Sequence, residues 1–315
     1  MVKEFKKVLI ALGGNAIKSA KNRESYERQI ERVEKTAEEI AKVVKKGYKI
    51  VITHGNGPQV GDILLQQEFA KEYVFPMPLS ICGAQSQGQI GCMLEEAVFW
   101  ALKKLRVKKE IVSIITHVLV DSQDSAFLRP AKPIGPIYTP DEANEYRKRG
   151  IKMKEIMPGA YRRVVASPVP KEIIEIKTIK KLFNSDNIVI AVGGGGVPVI
   201  LKNGKLKGVE AVIDKDLASE LLAISLGVDV LMILTDVKKV ALNFNKPNET
   251  RLDSLTVNDA KRYLREGQFP AGSMGPKVEA AIKFIKKGGR KAVIARLDDL
   301  LQALEGRAGT VITKN

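Results

Sequence analysis

The stretch "ERQIERVEKTAEEIAKVVKKGYKIVITHGNGPQ", residues 27–59, predicts a helix, a strand and a glycine turn in direct succession. Its first part has apolar residues at the three-and-four spacing that places them on one helix face: Ile30, Val33, Ala37, Ile40, Ala41 and Val44. Gly47 is suited to end that helix. The apolar run Tyr48–Thr53 then predicts a strand, and Gly55-Asn56-Gly57 follows it directly.

The same order recurs along the chain, in "KVLIALGGN", "IVIAVGGGG", "VLMILTD" and "KAVIAR". Helical patterns such as "GPKVEAAIKFIKKGG" lie between these runs. Uniformly apolar strands that alternate with helices predict an α/β fold whose mostly parallel sheet is covered by helices on both faces. In such a sheet the ligand lies beyond the carboxyl ends of the strands. The glycines of this sequence follow the strands at those ends.

One region, about residues 120–170, interrupts the alternation and contains the Pro- and Gly-rich stretch "SAFLRPAKPIGPIYTP". It is too long for an ordinary loop, so we predict an inserted, protruding subdomain that acts as a lid. We divide the chain into an N-terminal acceptor-side lobe, residues 1–185 with the insert, and a C-terminal nucleotide-side lobe, residues 186–315. One continuous sheet is expected to run through both lobes.

Composition excludes several classes of protein. No run approaches the roughly 18 apolar residues of a membrane span, and the N-terminus lacks a signal-peptide layout. We therefore expect a cytoplasmic protein without membrane contact.

The net charge is +16, but the lysines stand beside glutamates on predicted helices and aromatics make up only 5%. Nucleic-acid binding is therefore not expected, and abundant Lys and Glu indicate a thermophile.

Cysteine and histidine are scarce. The chain has two cysteines, Cys82 and Cys92, and two histidines, His54 and His117. A Cys/His metal cluster is excluded on this count. A metal would have to be a hard cation held by oxygen atoms and substrate phosphates.

Three glycine clusters follow predicted strands: Gly13-Gly14-Asn15, Gly55-Asn56-Gly57 and Gly193–Gly196. Glycine lets backbone amides approach a ligand closely, and consecutive amides bind oxyanions. A single cluster is adequately explained as a turn that ends a strand, but three at equivalent positions favour a phosphate site. The common phosphate-binding motifs G-x-x-x-x-G-K-[ST] and G-x-G-x-x-G are absent from the sequence.

Three lysines have unusual sequence settings. Lys132 lies in "KPIGP" within the insert, Lys215 lies between two aspartates in "VIDKD", and Lys277 lies in "GSMGPK" at a predicted helix start. Any lysine taken alone is expected to be solvated. Phosphoryl transfer to an anionic acceptor needs positive charge around the transferred group, and these three are the candidates.

The neighbouring carboxylates leave alternatives open. The "DKD" run is either a surface ion-pair cluster or part of a phosphate and metal site. Asp214 and Asp216 are both candidates to cap a helix that begins near Leu217, and Asp216 is well suited to that role. Alternatively, Asp214 holds Lys215 or binds Mg²⁺. Asp236 follows a predicted strand.

Two further side chains have alternative interpretations. Phe244 is either a stacking surface for adenine or a core residue. His54 either contacts substrate or makes a structural hydrogen bond.

These segments together resemble the amino acid kinase superfamily, and within it the carbamate kinase family. The "KPIGP" and "VIDKD" segments are the most specific to the latter. The matching segments span nearly the whole chain: "ALGGNA" (11–16), "THGNGPQVG" (53–61), "GAQSQGQIG" (83–91), "KPIGP" (132–136), "RRVV" with "SP" (162–168), "AVGGGGVPV" (191–199), "GVEAVIDKDLAS" (208–219), "NFNKP" (243–247) and "AGSMGPK" (271–277).

The resemblance implies an open three-layer αβα sandwich with a protruding subdomain, and a homodimer. It implies reversible phosphoryl transfer between ATP and carbamate, giving ADP and carbamoyl phosphate, with Mg²⁺ held mainly by the nucleotide phosphates. It also assigns residues to the carbamate side, to phosphate neutralisation and to the nucleotide pocket. The residues on the carbamate side are Gly13, Gly14, Asn15, Gly55, Asn56 and Gly57. Phosphate neutralisation is assigned to Lys132, Lys215 and Lys277, with Asp214 organising Lys215. The residues of the nucleotide pocket are Gly194, Gly195, Asp236, Phe244 and Met274.

Small departures and alternatives accompany the resemblance. Ala166 stands where the family pattern has proline, and Ala160-Tyr161 replaces a Gly-aromatic pair. Both concern the insert. The alternatives are a sister kinase acting on an N-acylated amino acid or a nucleoside monophosphate, and a nucleotide-binding regulator without turnover. The sequence also leaves open whether the enzyme makes ATP from arginine breakdown or supplies carbamoyl phosphate.

Overall fold

The computed structural model describes residues 6–14, 17, 24–270 and 272–314. The strands are β1 Lys7–Leu12, β2 Lys49–His54, β3 Ile111–Ser113, β4 His117–Val120, β5 Lys132–Tyr138, β6 Met153–Met157, β7 Ala160–Val165, β8 Pro170–Ile173, β9 Ile188–Ile190, β10 Val197–Lys202, β11 Lys205–Gly208, β12 Val230–Thr235, β13 Ala241–Leu242, β14 Thr250–Arg251, β15 Ser254–Thr256, β16 Lys291–Arg296 and β17 Thr310–Thr313. The helices are α1 Tyr26–Lys45, α2 Gly57–Ala70, α3 Leu79–Lys104, α4 Pro140–Lys148, α5 Ile176–Asn184, α6 Lys215–Leu226, α7 Val257–Arg265, α8 Met274–Lys286 and α9 Leu300–Leu304.

The central sheet has eight strands in the order β15-β17-β16-β12-β1-β2-β9-β3. Every adjacent pair is parallel except β16 and β17. Strand β1 lies between β2 and β12, so the carboxyl ends of these three strands meet at one edge of the sheet. The prediction of a mostly parallel sheet is confirmed.

Helices cover both faces of this sheet because successive side chains of a strand point to opposite faces. In β1, Val8, Ile10 and Leu12 pack into one core with α1, α3 and α9. Leu9 and Ala11 pack into the other core with α5, α6, α7 and α8. Two cores on opposite faces make three layers, and the predicted αβα sandwich is confirmed.

The opening stretch folds as its pattern predicts. Helix α1 buries Val33, Ala37 and Val44. Gly47 follows with φ +87°, the left-handed conformation that glycine adopts without a steric penalty. Its amide donates to the carbonyl of Val44 at 2.9 Å, and β2 begins two residues later.

Two smaller sheets lie beside the central one. Strands β11-β10-β4-β8 form a four-stranded sheet, and β5-β7-β6 form a three-stranded antiparallel sheet. We call β5, α4, β6 and β7, residues 132–165, the lid. The chain enters the lid after β4 and leaves it before β8, and these two strands pair with each other. The lid is therefore an insertion, as the fold class predicts, whereas the division into two lobes stays a prediction.

Within the described part of the chain, no helix combines the length and the apolar composition of a membrane span.

Candidate functional site

A cavity of about 380 Å³ lies at the carboxyl ends of β1, β2 and β12. The lid, the start of α6 and the start of α8 complete its wall. The described lining residues are Gly13, Gly14, Gly55, Asn56, Gly57, Pro58, Val60, Lys132, Pro133, Ile134, Gly194, Val212, Ile213, Asp214, Lys215, Asp216, Leu234, Thr235, Asp236, Gly272, Ser273, Pro276 and Lys277. The three lysines singled out in the sequence therefore meet in one cavity.

Asp216 holds two of these lysines. Its Oδ1 accepts from Lys215 Nζ at 2.6 Å, and its Oδ2 accepts from Lys277 Nζ at 2.9 Å. Lys215 and Asp216 are the first two residues of α6, and Lys277 lies in the first turn of α8. One buried carboxylate thus joins the beginnings of two helices that pack against the same face of the sheet.

Of the two aspartates of "DKD", Asp214 and not Asp216 caps the helix. Helix α6 begins at Lys215, not near Leu217, so Asp214 is the N-cap and its Oδ1 accepts from the backbone amide of Asp216 at 3.0 Å. Asp214 Oδ2 binds Lys132 Nζ of the lid at 2.9 Å. Asp216, and not Asp214, makes the direct contact with Lys215, while Asp214 acts on that lysine through its charge.

The cluster is electrostatically tight. Burial alone would raise the pKa of Asp216, but the charges of Lys215 and Lys277 outweigh it and lower that pKa to about 2. Burial lowers the pKa of Lys215, and the Asp216 carboxylate opposes this shift. The shared carboxylate thus opposes the loss of charge that burial favours at Lys215.

The glycine turns after β1 and β2 touch one another. The amide of Gly55 donates to the carbonyl of Leu12 at 3.1 Å. A Cβ at Gly55 would lie 3.2 Å from the backbone nitrogen of Gly14 and 3.6 Å from Cδ of Lys215. Glycine at this position therefore lets the two turns approach closely without displacing the backbone of Gly14.

The third glycine turn packs against the second. A Cβ at Gly193 would lie 2.4 Å from Nε2 of His54, and one at Gly194 would lie 2.3 Å from Cγ of Asn56. The turn begins at Val192, whose φ of 56° is strained for a β-branched residue. Its amide donates to Oγ1 of Thr116 at 3.0 Å, which holds the strained residue in place.

Helix α3 supports the second and third glycine turns through two buried polar residues, Ser86 and Gln87, that the sequence analysis did not single out. Gln87 pairs with the backbone of Thr116, accepting from its amide at 2.9 Å and donating to its carbonyl at 3.2 Å. Ser86 Oγ lies 2.8 Å from Asn56 Nδ2. The available signal was the run "GAQSQGQIG", where a helix of the core carries polar residues and glycines.

His54 is buried and does not line the cavity. Its Nδ1 lies 3.1 Å from the carbonyl of Gly55 and donates to it. Burial, together with the charge of Lys215, lowers its pKa from 6.5 to about 4, although the hydrogen bond to Gly55 acts in the opposite direction. A neutral, internally bonded imidazole supports the structural alternative for His54.

The lid is seated on α2 next to the cavity. A Cβ at Gly61 would lie 3.2 Å from Cα of Gly135, so backbone meets backbone there. Ile134 is buried in a small apolar cluster between the lid, α2 and α3. Farther out, Arg149 makes a bidentate pair with Glu68 of α2, at 2.9 and 3.3 Å. These contacts hold the lid against α2, and Lys132 at the start of β5 reaches the cavity from there.

Some residues expected at the nucleotide pocket do not line the cavity. Gly195 is buried behind it, against the carbonyl of Ile213. Phe244 is 46% exposed in the loop after β13. Met274 is the first residue of α8 and is partly buried against the core on that face of the sheet. Asp236 and Gly194 do line the cavity. Asn15 lies outside the described residues.

The described residues contain no group of three or more Asp, Glu, His or Cys side chains that would hold a metal ion by themselves. Asp214 and Asp216 are engaged with lysines. Asp236 is the other carboxylate among the described lining residues. This donor set suits Mg²⁺, which commonly binds substrate phosphates and water with only one or two protein carboxylates.

Comparison with known proteins gives a consistent result. The model of the Amino acid kinase family matches residues 6–296. Carbamate kinase of Pyrococcus horikoshii is 49% identical over 310 residues, covering 98% of this chain and 99% of the relative. Carbamate kinase of Thermococcus kodakarensis is 49% identical over 314 residues, covering 98% and 100%. The structure of carbamate kinase from Giardia lamblia bound to AMP-PNP is 44% identical, with a TM-score of 0.92 and 99% coverage of both chains. The chain therefore belongs to the amino acid kinase family, and these relatives, which it matches over nearly its full length, are carbamate kinases.

Proposed function

We propose that this chain catalyses reversible phosphoryl transfer between ATP and carbamate, giving ADP and carbamoyl phosphate. The observation that carries the proposal is the cluster of Lys215, Asp216 and Lys277, which faces Lys132 and the glycine turns across one cavity. Its full-length resemblance to carbamate kinases supports the choice of substrates.

The proposed step is a direct in-line displacement without a covalent enzyme intermediate. A carboxylate oxygen of carbamate forms a bond to the γ-phosphorus while the bond from that phosphorus to the β,γ-bridging oxygen breaks. The electron pair of the broken bond leaves with ADP. Carbamate attacks as an anion, so the step needs no proton acceptor.

Three lysines would neutralise the charge that gathers on the transferred group. Lys215 and Lys277 are positioned in advance by Asp216, which limits their reorganisation during the reaction. Lys132 arrives from the lid and is paired with Asp214. We propose that Lys132 exchanges this carboxylate for a phosphate oxygen when substrate binds. Asp214 thereby sets the resting position of the lid lysine.

The cavity has an acceptor side and a nucleotide side. We propose that Gly13, Gly14, Gly55 and Gly57, together with Asn56 and Asn15, line the side that binds carbamate and the transferred phosphoryl group. The opposite side, around Gly194 and Asp236, would face the nucleotide, with Gly195, Phe244 and Met274 as further candidates. The Giardia relative was solved with AMP-PNP, a nucleoside triphosphate analogue, which supports a nucleotide site in this fold.

We further propose that Mg²⁺ accompanies ATP and ADP, held mainly by phosphate oxygens with Asp236 as the nearest candidate carboxylate. When bound, the ion would neutralise phosphate charge that the lysines do not reach. The Mg²⁺ is thus expected to arrive with the nucleotide, since the described residues form no cage for it.

We also propose a homodimer. An exposed face of α3 carries the large apolar side chains Ile81, Phe99 and Trp100, each between 44% and 51% exposed. An exposed apolar face of this kind is suited to pack against a second copy of the chain. The cytoplasmic location stays a prediction from the sequence.

An acceptor screen tests the proposed function. The purified protein is given Mg-ATP with carbamate (from ammonium and bicarbonate), N-acetylglutamate or uridine monophosphate, and ADP is measured. We expect ADP and carbamoyl phosphate in equal amounts with carbamate alone. Turnover of either other acceptor would support a sister kinase instead. Nucleotide binding without any turnover would support a regulator.

A further inference from the structure

The carboxamide of Asn56 is confined on two sides within the cavity wall. Its Nδ2 lies 2.8 Å from Ser86 Oγ on α3. A Cβ at Gly194 would lie 2.2 to 2.6 Å from its Nδ2, Cγ and Oδ1, so the amide group lies against the backbone of the third glycine turn. Its remaining freedom is a rotation that exchanges the positions of its oxygen and nitrogen.

Ser86 determines which of these two orientations is present. Its Oγ lies 2.6 Å from the carbonyl of Gly83, which can only accept a hydrogen bond. A serine hydroxyl has one proton, and that proton is donated to Gly83. Ser86 Oγ is therefore an acceptor toward Asn56, so the NH₂ group of Asn56 faces Ser86. The oxygen Oδ1 is turned to the other side.

Asn56 Oδ1 makes no hydrogen bond with any described residue, whereas its surroundings on the acceptor side supply mainly donors. The lysine ammonium groups donate, and the amide of Gly55 already donates to Leu12. The nearby backbone carbonyls are engaged as follows: Leu12 accepts from Gly55, Gly14 from Ile17, Gly55 from His54 and Asn56 from Val60. Asn56 Oδ1 is thus an oriented acceptor that a substrate amino group can use.

Resting on the proposed function, we propose that Ser86 is a positioning residue for substrate specificity: it fixes Asn56 Oδ1 to accept from the amino group of carbamate. Carbamate carries an NH₂ group beside its carboxylate. A carboxylate of the same size with a methyl group in that place has no proton to donate. An oriented acceptor therefore favours carbamate, because the methyl analogue leaves a polar oxygen unpaired.

The reverse reaction offers a matched pair of substrates. Carbamoyl phosphate and acetyl phosphate differ in NH₂ against CH₃, and ATP formation from ADP reports on both. We expect the wild type to prefer carbamoyl phosphate in kcat/KM by at least about tenfold. Ser86→Ala is expected to lower kcat/KM for carbamoyl phosphate about tenfold and to change that for acetyl phosphate less than about twofold.

Three variants make the readout specific. Ser86→Thr keeps a hydroxyl and is expected to restore the preference. Ser86→Cys keeps the volume with a poor acceptor and is expected to lower the preference even where Ser86→Ala does not fold. Ser225→Ala is the matched control, because Ser225 of α6 also donates to a carbonyl of its own helix, that of Leu221 at 2.7 Å. It is expected to keep the wild-type ratio.

The outcomes separate this inference from the proposed function. Equal use of both phosphates by the wild type would overturn the specificity role, and the proposed function would stand. An equal loss with both phosphates in Ser86→Ala and Ser86→Cys would also overturn it, since Ser86 would then act on folding or general catalysis. Absence of ATP from carbamoyl phosphate in the wild type would overturn the proposed function itself.

Discussion

The start of α6 and the lid both contribute ion pairs to the same cavity, but in different surroundings. At the start of α6, the side chain of Asp216 is 4% exposed and holds Lys215 and Lys277, whose side chains are 14% and 15% exposed. In the lid, Lys132 is 38% exposed and pairs with Asp214. The first group joins two packed helices, and the second joins an inserted sheet to a helix cap.

We call the buried cluster of Lys215, Asp216 and Lys277 the permanent part of the site. We call the partly exposed pair of Lys132 and Asp214 the adjustable part. Removing one partner of a buried ion pair leaves an uncompensated charge and costs several kcal/mol, whereas exposed pairs contribute about 1 kcal/mol or less. We therefore expect the lysines of the buried cluster to keep one geometry whether or not substrate is bound. The lid lysine can exchange its partner at small cost, as substrate entry requires.

The largest loss of stability is expected from Asp216→Asn. The change leaves two lysines without their shared carboxylate, so the free energy of unfolding should fall by about 3–5 kcal/mol. The rate of phosphoryl transfer should fall at least about 100-fold. Chemical denaturation and the ATP-forming assay measure the two quantities.

Asp214→Asn is the matched comparison for that variant. Asparagine is also a good N-cap, so α6 keeps its cap and unfolding should change by about 1 kcal/mol or less. Equal losses of stability in the two variants would contradict the distinction between the permanent and the adjustable part.

Lys132→Ala is expected to slow the reaction without unfolding the protein. Loss of one cation from the transferred group should lower kcat about 100- to 1000-fold, and the melting temperature should stay close to that of the wild type. Lys154→Ala, at an exposed lid position, controls for charge on the lid. An unchanged rate in Lys132→Ala would show that the lid lysine is not in the reaction. An equal loss in Lys154→Ala would show that the effect is not specific to Lys132.

Stability should depend on pH through His54. Its pKa is lowered from 6.5 to about 4 in the folded protein, so the unfolded chain binds more protons between these values. Stability is therefore complete above pH 6.5 and decreases as the pH falls toward 4, by up to about 3 kcal/mol. Asp216 contributes separately, below its ordinary value of 3.8 and toward about 2.

Denaturant unfolding measured from pH 7 to pH 4 checks this expectation. His54→Gln should flatten the dependence in that window. If the stability of the variant depended on pH equally steeply, groups other than His54 would be the cause.

The smallest effect is expected from Glu68→Gln, which breaks the bidentate pair with Arg149 at the outer edge of the lid. The pair is partly exposed, so the cost should be about 1 kcal/mol or less and should shrink at high salt. KM should rise a few-fold, while kcat should stay within about twofold, since Lys132 keeps its seat through Ile134.

Steady-state kinetics at low and high ionic strength measure this effect. Glu145→Gln is the control, because Glu145 pairs with Lys148 within α4 only. The same rise of KM in both variants would remove any role for the contact between lid and α2.

The sequence alone was sufficient for the elements whose residues carry a regular period. The helix that ends at Gly47 and the strands before the glycine turns follow from local pattern, and the three lysines follow from their settings. The roles of Asp214 and Asp216 did not follow, because they depend on where α6 begins. A start at Lys215 instead of near Leu217 makes Asp214 the cap and turns Asp216 to the lysines.

Contacts between distant segments were also beyond the sequence. Ser86 and Asn56 are 30 residues apart, and their hydrogen bond exists only because α3 packs behind the second glycine turn. The strained backbone of Val192 is likewise a product of tertiary packing. Local propensity alone would have continued the strand through that β-branched residue.

The most direct test of the central claim is the initial rate of ATP formation from ADP and carbamoyl phosphate, measured for the wild type, Lys215→Ala and Lys207→Ala. Lys207 is an exposed lysine of β11 and serves as the control. The lysine cluster around Asp216 predicts a fast wild type, an unchanged Lys207→Ala and a loss of at least about 1000-fold in Lys215→Ala. A Lys215→Ala variant that is folded and as fast as the wild type would contradict the claim that this cluster transfers the phosphoryl group.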